Sequence, residues 1–144
     1  MTYLISACLL GTPCRYDGKS KGPSPAIREL LSENILIPVC PEIFGGLPTP
    51  RRPAERQSDG QVRNANGEDL SAAYRRGAEE VLRLARLLHA DGVILKEKSP
   101  SCGTEEIHYG SFSGGLRPGM GITAELLASA GIPLYSENRL PLKK

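Results

Sequence analysis

The chain has 144 residues, enough for one domain with a buried core and too few for two comfortable ones, so 1–144 reads as a single domain. Its 18 Lys and Arg against 16 Asp and Glu leave a formal net charge of +2, too little to favour a polyanionic partner such as a nucleic acid duplex. No apolar run reaches the roughly 18 residues of a membrane span, and motif residues begin within the first ten positions, so neither a membrane segment nor a cleaved leader is expected.

That reading places the protein in the cytoplasm, where a reducing environment disfavours structural disulfides. Metal binding or catalysis then becomes the usual reason to keep several thiols. Four cysteines beside only two histidines point toward sulfur ligation.

In chain order, Tyr3 to Ala7 is a short apolar run bounded by a Gly/Pro loop and reads as a buried strand. Ser24 followed by Pro25 is a helix start, with Ile27, Leu30 and Leu31 as the apolar stripe and an end near Glu33-Asn34. A second strand, Ile35 to Val39, stops at Cys40-Pro41. Ser71 to His89 is the longest periodic segment: Ala73, Tyr74, Ala78, Val81, Leu82, Ala85 and Leu88 share one face and arginines and glutamates largely the other. A third strand runs from Gly92 to Leu95 and on to about Glu97, ahead of Ser99-Pro100-Ser101-Cys102-Gly103. Thr123 to Ala130 forms a short helix stopped by Gly131, and Ile132 to Tyr135 a fourth strand.

This alternation predicts a three-layer, Rossmann-like α/β domain with a mostly parallel sheet, because parallel strands need long crossovers and helices cover both faces. The segments from Phe44 to Glu68 and from Thr104 to Gly121 are too long and too rich in Gly, Pro and polar residues for ordinary connections. They are expected to be functional loops, with Gln61 to Asn64 pairing in a small hairpin around Ala65-Asn66-Gly67 and the Gly110 to Gly121 run acting as a lid or substrate loop.

Cys8 and Cys40 directly follow the first and second strands, and Cys102 comes shortly after the third. In a parallel sheet all three stand at the carboxyl edge, where open α/β sheets bind ligands, and so they can meet in space. Their wide separation excludes a zinc knuckle or ferredoxin-type run, whose ligands come in close pairs. The competing reading is that buried cysteines act as small hydrophobes. Cys14 lies within a loop and keeps three readings open: fourth ligand, spare thiol, or packing.

The motifs Ser6-Ala7-Cys8-Leu9-Leu10-Gly11, Cys14-Arg15-Tyr16-Asp17-Gly18, Pro38-Val39-Cys40-Pro41-Glu42 with Gly45-Gly46-Leu47, Pro50-Arg51, and Lys96-Glu97 before Ser99-Pro100-Ser101-Cys102-Gly103 together resemble the 2-thiouracil desulfidase family across nearly the whole chain. The resemblance implies a 4Fe-4S cluster ligated by Cys8, Cys40 and Cys102, with Cys14 outside the ligand set. It also implies a hydrolytic, non-redox removal of sulfur from a thiolated nucleobase or nucleoside. An iron left open by three thiolates would suit a soft thiocarbonyl sulfur.

Water addition then needs an acid/base, for which Glu42 is the first choice because its backbone is tied to the Cys40 loop. Its competing role is to cap a helix or to pair with Arg51. Ser101 would orient the water or hydrogen-bond the ring, against the alternative of a loop hydroxyl satisfying a turn amide. Ser6 and Asp17 would line the crevice, Arg15 and Arg51 would steer substrate or balance charge, and Lys96 and Glu97 would form a buried pair. His89 and His108 are expected at the surface or in packing. The competing functions are a metal-free thiol sulfurtransferase or redox protein, against which the lack of a C-x-x-C motif counts, and a structural zinc or small-molecule-binding domain, which needs a fourth ligand.

Overall fold

The computed structural model describes residues 1–19, 21–108, 112 and 114–141. In chain order the elements are β1 (Thr2–Ser6), a 3-10 turn (Ala7–Leu10), α1 (Pro25–Glu33), β2 (Ile35–Val39), α2 (Pro41–Phe44), β3 (Ala54–Arg56), β4 (Val62–Asn64), α3 (Ser71–Leu87), β5 (Gly92–Leu95), β6 (Glu106–His108), β7 (Leu116–Pro118), α4 (Ile122–Ser129) and β8 (Leu134–Ser136). β2, β1, β5 and β8 lie side by side in that order, every pair parallel.

Alternation along each strand sends residues to the two faces of this sheet. Leu4, Val93 and Leu95 pack with Val81 and Ala85 of α3 and Leu127 of α4. Tyr3, Ile5 and Ile94 pack with Ile27 and Leu30 of α1 on the other side. The result is the expected three-layer α/β architecture, in which each fully buried aliphatic side chain contributes about 1.5–3 kcal/mol. α1 begins as its sequence implies, with the Ser24 hydroxyl accepting the Ile27 N–H at 3.2 Å and Pro25 in the first turn.

Some boundaries differ from the sequence reading. β8 starts at Leu134 because the Ile132 N–H is taken by the Leu127 carbonyl and Pro133 has no N–H. Each long loop contains an antiparallel pair, β3 with β4 and β6 with β7. Val62–Asn64 pairs mainly backward onto Ala54–Arg56, while the expected turn at residues 65–67 survives as a tight loop closed by Asn64, whose side-chain oxygen accepts the Asn66 and Glu68 N–H groups.

α2 was not anticipated. It lies so close to α3 that a Cβ on Gly77 would come within 1.7 Å of the Pro41 carbonyl oxygen, and one on Gly45 within 2.0 Å of the Ala73 oxygen. Only glycine permits this approach, and it fixes the segment that follows Cys40.

Candidate active site

The register of the sheet sets the site. Ser6 of β1 lies opposite Val39 of β2, and Ile5 opposite Pro38 on one side while pairing Ile94-ward on the other. The chain therefore delivers Cys8 and Cys40 from adjacent strands at one edge, with the β5 exit beside them. Cys8, Cys40 and Cys102 all line one cavity of about 360 Å³. Cys14 lines it too, buried like Cys102, and all four are free thiols. The Cys14 thiol lies within hydrogen-bonding reach of both Cys40 and Cys8, so this loop cysteine belongs to the cluster of thiols and is not remote packing.

The surroundings keep Cys14, Cys40 and Cys102 protonated in the chain by itself. Burial pushes Cys102 up to about 12, helped by the Glu42 charge and opposed by hydrogen bonds from Ser6 and Ser101. Contact with Cys14 and then burial push Cys40 well above its ordinary value, although the Ile43 amide favours its thiolate. Cys14 also rises: its contact with Cys40 lowers it, but contact with Cys8 and burial outweigh that. A nearby cation is what would ionise such a group.

Two loops hold the cysteines in place. The Pro100–Gly103 stretch docks on the start of α4, where the Ile122 N–H donates to the Pro100 oxygen and the Thr123 N–H to the Ser101 oxygen, each at 2.9 Å. Ser101 is fully buried there, its hydroxyl 2.9 Å from that of Thr123. It does not line the cavity. The side chain expected to touch the reacting atoms instead stands behind Cys102, because α4 claims its hydroxyl.

In this loop the hydroxyl that reaches the cavity belongs to Ser99. Its oxygen accepts the Ser101 N–H at 3.0 Å and the Cys102 N–H at 3.2 Å, and it donates to Glu42 Oε1 at 3.4 Å. The signal for this was present in the sequence, since a serine two and three residues before turn amides is a hydroxyl-capped turn.

Glu42 lines the cavity at the start of α2. Arg51 donates to Glu42 Oε2 through Nε at 3.0 Å and through Nη2, and the same guanidinium reaches the Cys14 carbonyl at 3.1 Å and the Pro48 carbonyl at 3.1 Å. Arg51 thus ties the Cys14 loop to the Glu42 segment. One Glu42 oxygen is clamped by the cation, and the other faces Ser99. Tyr74 of α3 lines the same wall, its phenol kept neutral by burial and by the Glu42 charge, which Arg51 partly offsets.

The remaining predicted residues sort as follows. Ser6 and Arg15 line the cavity, whereas Asp17 does not and instead accepts the Lys19 N–H at 3.0 Å. Lys96 and Glu97 do not pair with each other. Lys96 Nζ reaches Glu137 Oε2 at 2.7 Å, and buried Glu97 accepts the Thr104, Glu105 and Glu106 N–H groups and the Thr104 hydroxyl. Each charge is thus engaged elsewhere, and Lys96 Nζ meets only the main-chain carbonyl of Glu97, at 3.4 Å. His108 and Gly114, flanking the tip of the β6–β7 hairpin, reach the cavity wall, so His108 is a site residue that sequence reasoning placed elsewhere; His89 lies at the end of α3, away from it.

Among the described residues no three His, Cys, Asp or Glu side chains close on a single metal-ion position. The 2-thiouracil desulfurase family matches residues 3–139. The chain belongs to that family. A relative from Bacillus subtilis (strain 168), the uncharacterized protein YbbK, is 43% identical over 146 residues, covering 95% of this chain and 96% of its own. A solved structure described as a [4Fe-4S]-dependent thiouracil desulfidase, TudS, is 46% identical and superposes with a TM-score of 0.91, covering 97% of this chain and 93% of that one. As a 2-thiouracil desulfurase family member, this chain carries the fold and, at the strand ends, the thiol-rich cavity just described.

Proposed function

We propose that this protein is an iron-sulfur-dependent desulfidase that converts a thiolated pyrimidine such as 2-thiouracil to the oxo compound, working in the cytoplasm as a single domain on a small molecule. The observation that carries this reading is the meeting of Cys8, Cys40 and Cys102 in one cavity with a cation-clamped carboxylate, Glu42. The net reaction is C=S + H₂O giving C=O + H₂S, with no electrons exchanged.

The donor set fits a 4Fe-4S cluster: three cysteines from three separate loops bring soft sulfur donors into one cavity. Cys8, Cys40 and Cys102 would hold it, and when bound it would supply a Lewis acid with affinity for thiocarbonyl sulfur. Cys14 stays outside this set and lies against two of its members.

The chain's own residues account for the proton movements. Glu42 Oε1 accepts a proton from the attacking water, with Ser99 orienting that water through its hydroxyl. Arg51 holds the Glu42 carboxylate in place and matches its charge, so its direction is set before substrate arrives. The same acid returns the proton when sulfur departs. Ser101 acts as a positioning residue, fixing Cys102 through its loop. Apolar walls from Val39, Pro41, Pro53 and Ala54 shed water from a flat ring.

Anaerobic reconstitution should give a brown protein with about four irons per chain that releases uracil from 2-thiouracil. Replacing Glu42→Gln should keep iron and colour while lowering turnover by roughly 10²–10⁴. A colourless protein, or one whose uracil release is undiminished in Glu42→Gln, would overturn the reading or the role.

A further inference from the structure

The cavity contains a second carboxylate whose setting contrasts with that of Glu42. Glu55 of β3 is 7% exposed and lines the cavity. Among the described residues no Lys, Arg or His lies within ion-pairing distance of it. The arginines of the same hairpin are engaged elsewhere: Arg56 bonds the Met120 carbonyl at 2.7 Å and Glu125 at 2.6 Å, and Arg63 pairs with Asp59 at 3.1 Å. Glu55 Oε1 accepts the Phe112 N–H at 3.3 Å, a long bond.

A buried carboxylate without a cation is costly unless N–H donors satisfy it. Each of its oxygens accepts two, so the one backbone amide that reaches it among the described residues leaves capacity over. A pyrimidine thione brings further donors, because ring N–H groups flank its C=S carbon and are more acidic than ordinary amides.

We propose that Glu55 accepts the ring N–H beside the thiocarbonyl, making it the specificity residue that selects N–H-bearing thioamides over N-substituted ones. This rests on the desulfuration reading above. Glu42 and Ser99 serve the water, and Glu55 serves the ring. A charge-assisted bond from a carboxylate to N–H orients the ring as well as holding it. The effect of losing it therefore falls on substrate binding more than on the chemical step.

The test compares wild type, Glu55→Gln and Glu55→Ala on 2-thiouracil and its N1-methyl and N3-methyl derivatives, together with calorimetric binding of uracil to the cluster-free chains. Wild type should discriminate against at least one methyl derivative. Glu55→Ala should raise KM for 2-thiouracil roughly ten- to hundredfold with kcat within about threefold, lose that discrimination, and weaken uracil binding in parallel. Glu55→Gln, which keeps the shape and an acceptor for Phe112, should fall between them and carries the test if the alanine variant does not fold. Unchanged KM and unchanged discrimination in a folded variant would overturn the proposal, as would a fall in kcat with selectivity intact. If wild type binds 2-thiouracil in a Glu55-dependent way but releases no uracil, the desulfuration reading fails and the ring contact stands. If wild type releases uracil and Glu55→Ala keeps its KM, the ring contact fails and the desulfuration reading stands.

Discussion

The strand-end loops and the two hairpins form the same cavity by different means. Cys8 and Cys40 leave strands of a fully hydrogen-bonded parallel sheet, Cys102 sits in a loop docked on α4, and the segment after Cys40 lies in backbone contact with α3 through Gly45 and Gly77. The hairpins β3–β4 and β6–β7 lie outside that sheet, have three-residue strands, and are joined to the body by a mixture of main-chain bonds, such as those of Lys98 with Glu106 and His108 at 3.1 Å each, and side chains. Ser71 Oγ accepts the Val62 N–H at 2.8 Å, Arg56 reaches α4, and Glu97 gathers the amides leading into β6. The difference separates two tasks. The strand-end loops hold the proposed sulfur donors and acid/base on the sheet and its helices, while the short hairpins bring Glu55 and His108 to the cavity from outside the sheet.

The largest effect should come from breaking the anchored half. Each of Cys8→Ser, Cys40→Ser and Cys102→Ser should lose most of the bound iron and the visible absorbance after anaerobic reconstitution, with the fold intact by circular dichroism. Cys14→Ser should keep its iron, since the proposed ligand set leaves Cys14 out. Equal iron loss in Cys14→Ser would make it a ligand and require one of the other three to stand aside.

A smaller effect tests the backbone contact behind Cys40. In Gly77→Ala the new methyl would meet the Pro41 oxygen at 1.7 Å, so α2 must shift with Cys40 and Glu42 beside it. Overpacking of this kind costs about 1–3 kcal/mol, and more where backbone cannot yield. A lowered Tm together with reduced turnover is expected; a lowered Tm with full turnover would show that α2 does not set the position of Glu42.

The comparison also marks what was legible in the sequence. Strand-end placement of Cys8, Cys40 and Cys102 followed from apolar runs ending at turns, and α1 from Ser24-Pro25, because period and capping chemistry are local properties. Val62–Asn64 was legible as a pairing strand, although with a turn at 65–67 in place of its partner β3, and β6–β7 only as an overlong loop. The placement of both hairpins depends on contacts distant in sequence, such as Arg56 to Met120 and Phe112 to Glu55. The place of Ser101 was likewise decided by tertiary structure: α4 takes its hydroxyl, while Ser99, which was not singled out in the sequence, reaches the cavity. α2 was missed because four residues are too few for a periodic signal, and its cause is the glycine contact with α3.

The mildest prediction addresses the attached half at Glu97. Burial alone would raise its pKa, but the Thr104 hydroxyl and the Glu105, Thr104 and Glu106 amides outweigh it and hold the carboxyl below its ordinary value. The folded state therefore favours the ionised form, and this stabilisation is present above the unfolded carboxylate pKa of about 4.3 and is lost as pH falls through the folded value. Glu97→Gln should cost about 1–2 kcal/mol near pH 7, the range for hydrogen bonds that lose their charge. Urea midpoints of the two proteins should stay apart down to about pH 5 and converge below about pH 4. A gap that persists unchanged at low pH would mean that shape, not charge, ties β6 to the body. Uracil release by Glu97→Gln should stay within about threefold of wild type at pH 7, since the carboxylate faces the amides that enter the hairpin and the sulfur donors keep their own backbone anchors.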